Sequence, residues 1–236
     1  RLAADLVSAG VEVHGYDPLI TSSLEGVARS DEPAAAVSRG TVVLALTTAA
    51  TALSAAESAL PGFRPGVIYA DLNTASPALK DDIAALVAGA GARFADVALL
   101  GPVPAHGLGT RALASGAGAQ AFADAFGPLG MPVEVVSDRA GDAATLKLLR
   151  LVFMKGLAAS ALESLRAANA AGQTSWLERE IADVIGEPLL ELELAGVIGR
   201  IARPAGLEAR RVARVAGAAM PGTRAARVAA VVDVVG

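Results

Sequence analysis

Between Val11 and Val136 the chain alternates short apolar runs with helical segments, at intervals of roughly 25 residues. The runs are Val11–Tyr16, Thr41–Leu46, Gly66–Leu72, Arg93–Leu99 and Pro132–Val136. They are apolar at nearly every position instead of every second one, so both faces of each strand are buried, as a parallel sheet requires. Between them Glu32–Arg39, Thr51–Leu60, Pro77–Gly89 and Ala119–Phe126 have helical composition, and Ser76-Pro77 supplies an N-cap with a first-turn proline. Gly10, Gly40, Gly66, Gly91 and Gly130 each stand shortly before a strand, where helices end.

After Val136 the pattern changes. Ser137–Gly141 leads into Asp142–Ala171, a stretch free of proline with only Gly156 inside, and this predicts one long helix. Leu146, Leu149, Val152, Phe153, Leu157, Leu162 and Leu165 spread apolar surface too widely for a helix packed on one side. Further helices are expected at Ser175–Ile185, Pro188–Ile201 and Leu207–Ala219. The expected organisation is an α/β domain over 1–138 and an all-helical domain over 139–236.

Composition narrows the classes. The chain has 236 residues, 53% of them hydrophobic but only 3% aromatic, enough for one large or two modest cores built from Ala, Val and Leu. No apolar run reaches the roughly 18 residues needed to span a bilayer, and no export leader opens the chain, so a cytoplasmic protein without membrane attachment is expected. The absence of cysteine excludes disulfides and thiolate chemistry, and two histidines make a His-rich metal site improbable, so no metal is expected. The net charge of −4 gives no general attraction for nucleic acid. Seven arginines fall between Arg200 and Arg227 against the single acid Glu208, and Arg210, Arg211 and Arg214 share helical spacing with Val212 and Val215, which reads as a solvated or subunit-contact helix.

Candidate chemistry lies beyond the carboxyl ends of the strands, where doubly wound sheets bind ligands. Asp17 closes Val11–Tyr16, which follows a short helix with Leu2, Leu6 and Val7 on its apolar face. An acid at this place in a nucleotide-binding βαβ unit accepts hydrogen bonds from a ribose, and the glycine loop that cradles the pyrophosphate comes about twenty residues earlier. That loop would precede Arg1, so a Rossmann-like doubly wound sheet whose first strand is missing, in a fragment of a larger dinucleotide-binding protein, is expected. Asp17-Pro18 is equally readable as a simple turn. Thr47 and Thr48 end the second run, where they could line a cofactor or start the next helix. Asn73, Thr74 and Ser76 end the third, and helix capping accounts for Ser76 alone. The loop Leu100–Thr110, with two prolines and three glycines, could shape a substrate pocket; His106 within it reads as exposed and His14 as structural. Lys147, flanked by Leu146, Leu148 and Leu149, either snorkels to water or faces a cleft where it would exchange a proton with a substrate oxygen. Arg150 follows at i,i+3 and could grip an anion, with Lys155 further along the same face.

These segments, in this order, resemble the β-hydroxyacid dehydrogenase family, which includes 3-hydroxyisobutyrate and 6-phosphogluconate dehydrogenases. Asp71-Leu72-Asn73-Thr74-Ala75-Ser76-Pro77 is similar to its Asp-x-Ser-Thr-x-x-Pro stretch, Asp96–Gly101 to its Asp-Ala-Pro-Val-Ser-Gly loop, and Gly141–Lys147 keeps its spacing from glycine to catalytic lysine. The resemblance implies NAD(P)-dependent hydride transfer between nicotinamide and a carbon bearing hydroxyl or carbonyl, with Lys147 as general acid/base. Asn73, Thr74, Ser76 and Arg150 would bind an anionic small-molecule substrate, Tyr16, Asp17, Thr47 and Thr48 the cofactor, and the helical domain would build a homodimer. Asp17 repels a 2′-phosphate, which favours NAD over NADP by a small margin. Leu100 replaces a substrate-contacting serine, Pro102 a glycine and Arg150 an asparagine, and Lys147–Gly156 looks more like an uncharacterised phosphogluconate-dehydrogenase-like branch of DUF1932 type. Imine reduction on the same scaffold is an alternative, although related imine reductases generally lack this lysine. A non-catalytic nucleotide-sensing or scaffold protein is another.

Overall fold

A computed structural model describes residues 1–20, 22, 24–185 and 227–232. The expected helices Pro188–Ile201 and Leu207–Ala219 lie outside the described residues. The chain divides into two compact units, Arg1–Leu149 together with Ala225–Gly236, and Arg150–Arg224.

The first unit is an α/β sandwich of Rossmann-like class. Its strands are β1 (Glu12–Tyr16), β2 (Val27–Arg29), β3 (Val42–Leu46), β4 (Ile68–Asp71), β5 (Arg93–Leu99), β6 (Ala112–Ser115), β7 (Val133–Ser137) and β8 (Arg227–Val232). They form a sheet in the order β2-β1-β8-β3-β4-β5-β6-β7. All neighbours pair in parallel except β5 with β6. The helices are α1 (Leu2–Ser8), α2 (Pro33–Val37), α3 (Ala52–Ala59), α4 (Pro77–Gly89), α5 (Val103–His106), α6 (Ala119–Phe126) and the start of α7 (Asp142–Ala170).

Alternation along each central strand feeds two cores. Val42 and Leu44 of β3, Ala70 of β4 and Ala95 and Val97 of β5 pack with Leu6 of α1 and with Phe122 and Phe126 of α6, whose rings stack at 4.4 Å. Val43, Ala45, Tyr69 and Phe94 point the other way, onto Val37, Ala56, Ile83 and Val87 of α2, α3 and α4. Both faces of the strands are therefore covered, as the continuous apolar runs require.

One feature departs from the expectation. The sheet does not lack its central strand: β8, from the far end of the chain, pairs with β1 from Glu12↔Arg227 to Tyr16↔Val231 and with β3 from Val42↔Val228 to Leu46↔Val232. The first unit holds this strand together with the opening turns of α7. Inserted between two parallel neighbours, Arg227–Val232 satisfies its backbone on both sides at once.

The second unit, as far as described, consists of the remainder of α7 and of α8 (Thr174–Ile185). Among the described residues no helix is long and apolar enough to cross a membrane.

Because β8 is hydrogen-bonded on both sides, Ala230→Pro removes a ladder donor where no strand edge exists. Amide-exchange protection across Val13–Tyr16 and Val42–Leu46 is expected to collapse in this variant. Protection equal to that of the unsubstituted protein would show that β8 is dispensable to the sheet.

Candidate active site

The carboxyl ends of β1, β3, β4 and β5 lie along one edge of the sheet, because these strands are parallel and in register, with Ala45 opposite Asp71 and Asp71 opposite Asp96. The candidate residues of the first unit are carried on the segments that leave this edge.

Asp17, directly beyond β1, is buried. Its Oδ1 accepts the backbone N–H groups of Leu19 at 2.8 Å and Ile20 at 2.9 Å, while the Arg29 guanidinium donates to the carbonyls of Asp17 and Ile20 and pins the turn. Its Oδ2 is buried without a hydrogen-bond partner among the described residues. A buried carboxylate oxygen left so is costly, and an incoming hydroxyl donor would satisfy it. The turn thus uses one oxygen of the side chain and leaves the other open to a donor. Tyr16 is half-buried against the α2–α4 face, beside this turn.

At the end of β3, Thr48 and Thr51 bind each other, Oγ1 to Oγ1 at 3.0 Å, in a hydroxyl-braced turn that opens α3. Thr47 Oγ1 accepts from the Asn73 side chain at 3.0 Å. The Asn73 amide also donates to Asp71 Oδ1, as does the Asn73 backbone N–H at 3.0 Å. Both hydrogens of that amide nitrogen are therefore engaged within the protein, leaving only its carbonyl oxygen to face a ligand. Ser76 Oγ caps α4 by accepting from Leu79 N–H at 3.3 Å. Of the four residues Asn73–Ser76, Thr74 keeps an exposed hydroxyl at the sheet edge.

Lys147 lies in the second turn of α7, and its Nζ donates to Thr74 Oγ1 at 2.9 Å. The sequence placed these two groups 73 positions apart; the fold brings them into contact. Gly141 makes the approach possible. It adopts φ +82°, and a Cβ there would stand 3.0 Å from the Pro77 carbonyl oxygen at the head of α4. The start of α7 is then gripped from below: Asp96 Oδ2 accepts Ala144 N–H at 2.8 Å, and Ser115 Oγ accepts Ala143 N–H at 3.0 Å. Asp142 accepts from Ser137 and Arg139, and these hydrogen bonds hold its carboxyl below the usual carboxylate range.

Other candidates fall elsewhere. Leu100 is buried in a small cluster with Ala98, Leu113 and Ala143, so it serves packing where a serine would serve a ligand. His106 is exposed at the end of α5, and His14 is buried with Nε2 2.9 Å from Glu12 Oε1, as expected of a structural residue. Arg150 continues α7 three residues beyond Lys147 and belongs to the second unit.

The sequence reading missed a buried cluster under this site. Lys80, Asp71 and Asp96 are fully buried; Lys80 Nζ lies 3.1 Å from Asp71 Oδ2 and 2.9 Å from Asp96 Oδ1, and it donates to the Asp71 carbonyl at 3.0 Å. The signal was present. Asp71 and Asp96 interrupt apolar strands, and Lys80, Ile83 and Val87 share one stripe of α4, so three charges were directed inward together.

Comparison with known proteins agrees with this architecture. Among solved structures the chain is similar to the conserved protein MTH1747, described as of unknown function with structural similarity to 3-hydroxyacid dehydrogenases. The two are 30% identical, over 85% of this chain and 76% of that one, with TM-score 0.64. It is also similar to the Mycobacterium tuberculosis 3-hydroxyisobutyrate dehydrogenase solved with L-serine, at 21% identity over 77% of this chain and 65% of that one, TM-score 0.68. A variant imine reductase from Myxococcus stipitatus in complex with NAD+ gives 20% identity over 85% and 73%, TM-score 0.67. No protein-family model matches the chain. With this fold and these relatives, the chain belongs to the β-hydroxyacid dehydrogenase superfamily. Among curated proteins, an uncharacterised 28.5 kDa protein of Methanothermus fervidus, encoded in a 7S RNA 5′ region, is 30% identical over 132 residues, or 56% of this chain. The chain spans about half, 50%, of the length of that relative.

Gly141→Ala places a side chain at positive φ against the Pro77 carbonyl. It is expected to cost about 1–3 kcal/mol, read as a lower urea midpoint. A midpoint that does not move would show that α7 docks without this glycine.

Proposed function

We propose that the protein is an NAD(P)-dependent oxidoreductase that interconverts a hydroxyl-bearing and a carbonyl-bearing carbon of an anionic small molecule. The observation that carries this reading is the Lys147 Nζ–Thr74 Oγ1 contact of 2.9 Å, at the sheet edge that also presents an Asp17 oxygen without a partner among the described residues. An ammonium held by a hydroxyl beside a ligand-binding edge is suited to proton exchange with a substrate oxygen.

In this reading Asp17 Oδ2 accepts a ribose hydroxyl, with Tyr16, Thr47 and Thr48 lining the rest of the cofactor site. Nicotinamide, when bound, supplies or takes up the hydride. Lys147 Nζ gives a proton to the substrate oxygen in reduction and removes it in oxidation. Thr74 orients the Lys147 amine, and Asn73 offers its carbonyl oxygen. The carboxylate at position 17 disfavours a 2′-phosphate, which supports NAD over NADP. A homodimer through the helical unit belongs to the same reading and is supported by the exposed Val152 and Phe153 of α7.

Imine reduction is the second reading, since the imine reductase matches in fold as well as the dehydrogenase does. The retained lysine favours an oxygen-bearing substrate, because a protonated imine nitrogen needs no further proton donor. A nucleotide-sensing protein without turnover would bind cofactor and convert nothing.

Lys147→Met is expected to lower turnover by about 10²–10⁴ with the hydroxy acid or ketone that proves to be a substrate, leaving NADH affinity unchanged. A rate within tenfold of the unsubstituted protein would remove Lys147 as proton relay, and a preference for imines over carbonyls would transfer the reading to reductive amination. Asp17→Ala is expected to weaken NADH binding by roughly 10- to 100-fold, the worth of a hydrogen bond to a charged group, followed through cofactor fluorescence. Equal affinity in the two proteins would exclude Asp17 from the cofactor site.

A further inference from the structure

We propose that Lys80, buried below the sheet edge, is a positioning residue for Lys147. The inference rests on the reading of Lys147 as proton relay, but its geometry stands on its own.

A lysine with no exposed surface between two equally buried aspartates is poorly explained as a source of stability. Replacing buried ion pairs by apolar residues of similar volume is often neutral or stabilising, and Ile83 and Val87 show that this stripe of α4 accepts apolar side chains. The placement of the second oxygen on each carboxylate gives the cluster its use. Asp71 holds Lys80 with Oδ2 and turns Oδ1 to the backbone and side-chain N–H groups of Asn73, which fixes the loop that ends in Thr74. Asp96 holds Lys80 with Oδ1 and turns Oδ2 to the backbone N–H of Ala144, one helical turn before Lys147. Lys80 is thus the link between two arms, one ending in the Thr74 hydroxyl and the other in the Lys147 amine, and those ends meet at 2.9 Å.

Without the ammonium, two carboxylates would face each other in the interior. They would have to separate, draw in water or take up a proton, and each response moves an arm. The Lys147–Thr74 contact is therefore set by a residue that touches neither of them.

The composition of the chain allows a direct test. Lys80, Lys147 and Lys155 are its only lysines, and Lys155 is exposed on the same helix as Lys147, so it serves as an internal reference. Trace acetylation with acetic anhydride, followed by mass spectrometry, gives the reactivity of Lys147 relative to Lys155. Asp71→Asn combined with Lys80→Met keeps the formal charge of the cluster unchanged and preserves both arms as hydrogen-bond acceptors, so that folding is retained while the link is lost. The Lys147/Lys155 ratio is expected to rise about two- to tenfold, the worth of one released hydrogen bond, and to match that of Thr74→Val. Ile83→Ala, a core truncation in the same helix, is the control for general destabilisation and is expected to leave the ratio where it was. A double variant whose ratio equals that of the unsubstituted protein, or a rise of the same size in Ile83→Ala, would overturn the proposal. The assay needs no substrate, so its result is independent of whether Lys147→Met abolishes turnover, which alone decides the catalytic reading.

Discussion

Two ionised carboxylates buried at neighbouring strand ends repel each other unless a cation lies between them, and the architecture of the first unit is arranged around that constraint. Asp71 and Asp96 stand opposite each other in the parallel pairing of β4 and β5. Their approach is fixed by the strand spacing of about 4.8 Å. Helix α4, returning over the sheet from Ser76-Pro77, delivers Lys80 from its apolar stripe into the gap. Once there, the ammonium bridges both inner oxygens, and the outer oxygens become acceptors for the loop after β4 and for the first turn of α7. A charge cluster thereby does what an apolar contact does poorly: it fixes direction as well as proximity.

The site follows from this scaffold and from the common polarity of the strands. Asp17, Thr47 and Thr74 come from three separate segments, yet parallel pairing delivers all three to one edge. Within that edge the polar side chains divide by task. Asn73, Thr48 and Ser76 are largely committed to internal hydrogen bonds, whereas Asp17 keeps an oxygen without a partner among the described residues and Thr74 meets the lysine. The division leaves the Asn73 amide nitrogen as a brace between strand ends, spent on Thr47 and Asp71.

Much of this was legible in the order of residues. Continuous apolar runs announced buried parallel strands, Ser76-Pro77 announced the head of α4, and Gly141–Lys147 together with Asp71–Pro77 marked the family. Short elements were not legible: β2 and β6 are three and four residues long, with too few positions to show a period. The antiparallel turn of β6 against β5 was hidden as well, since local pattern does not encode direction. Leu100 was noticed as a departure from the family pattern, but its cause, packing against Ala98, Leu113 and Ala143, needed coordinates.

By itself the sequence determined the alternation of strands and helices, which positions are apolar, and where glycine or proline must punctuate the chain, because these follow from local sterics and from burial of each segment. Only the tertiary structure decided that Arg227–Val232 enters the sheet between β1 and β3, and that Asp71, Lys80 and Asp96 share one buried space. Both depend on partners distant along the chain, and an unpaired backbone edge or an unneutralised charge states what must be found without stating where.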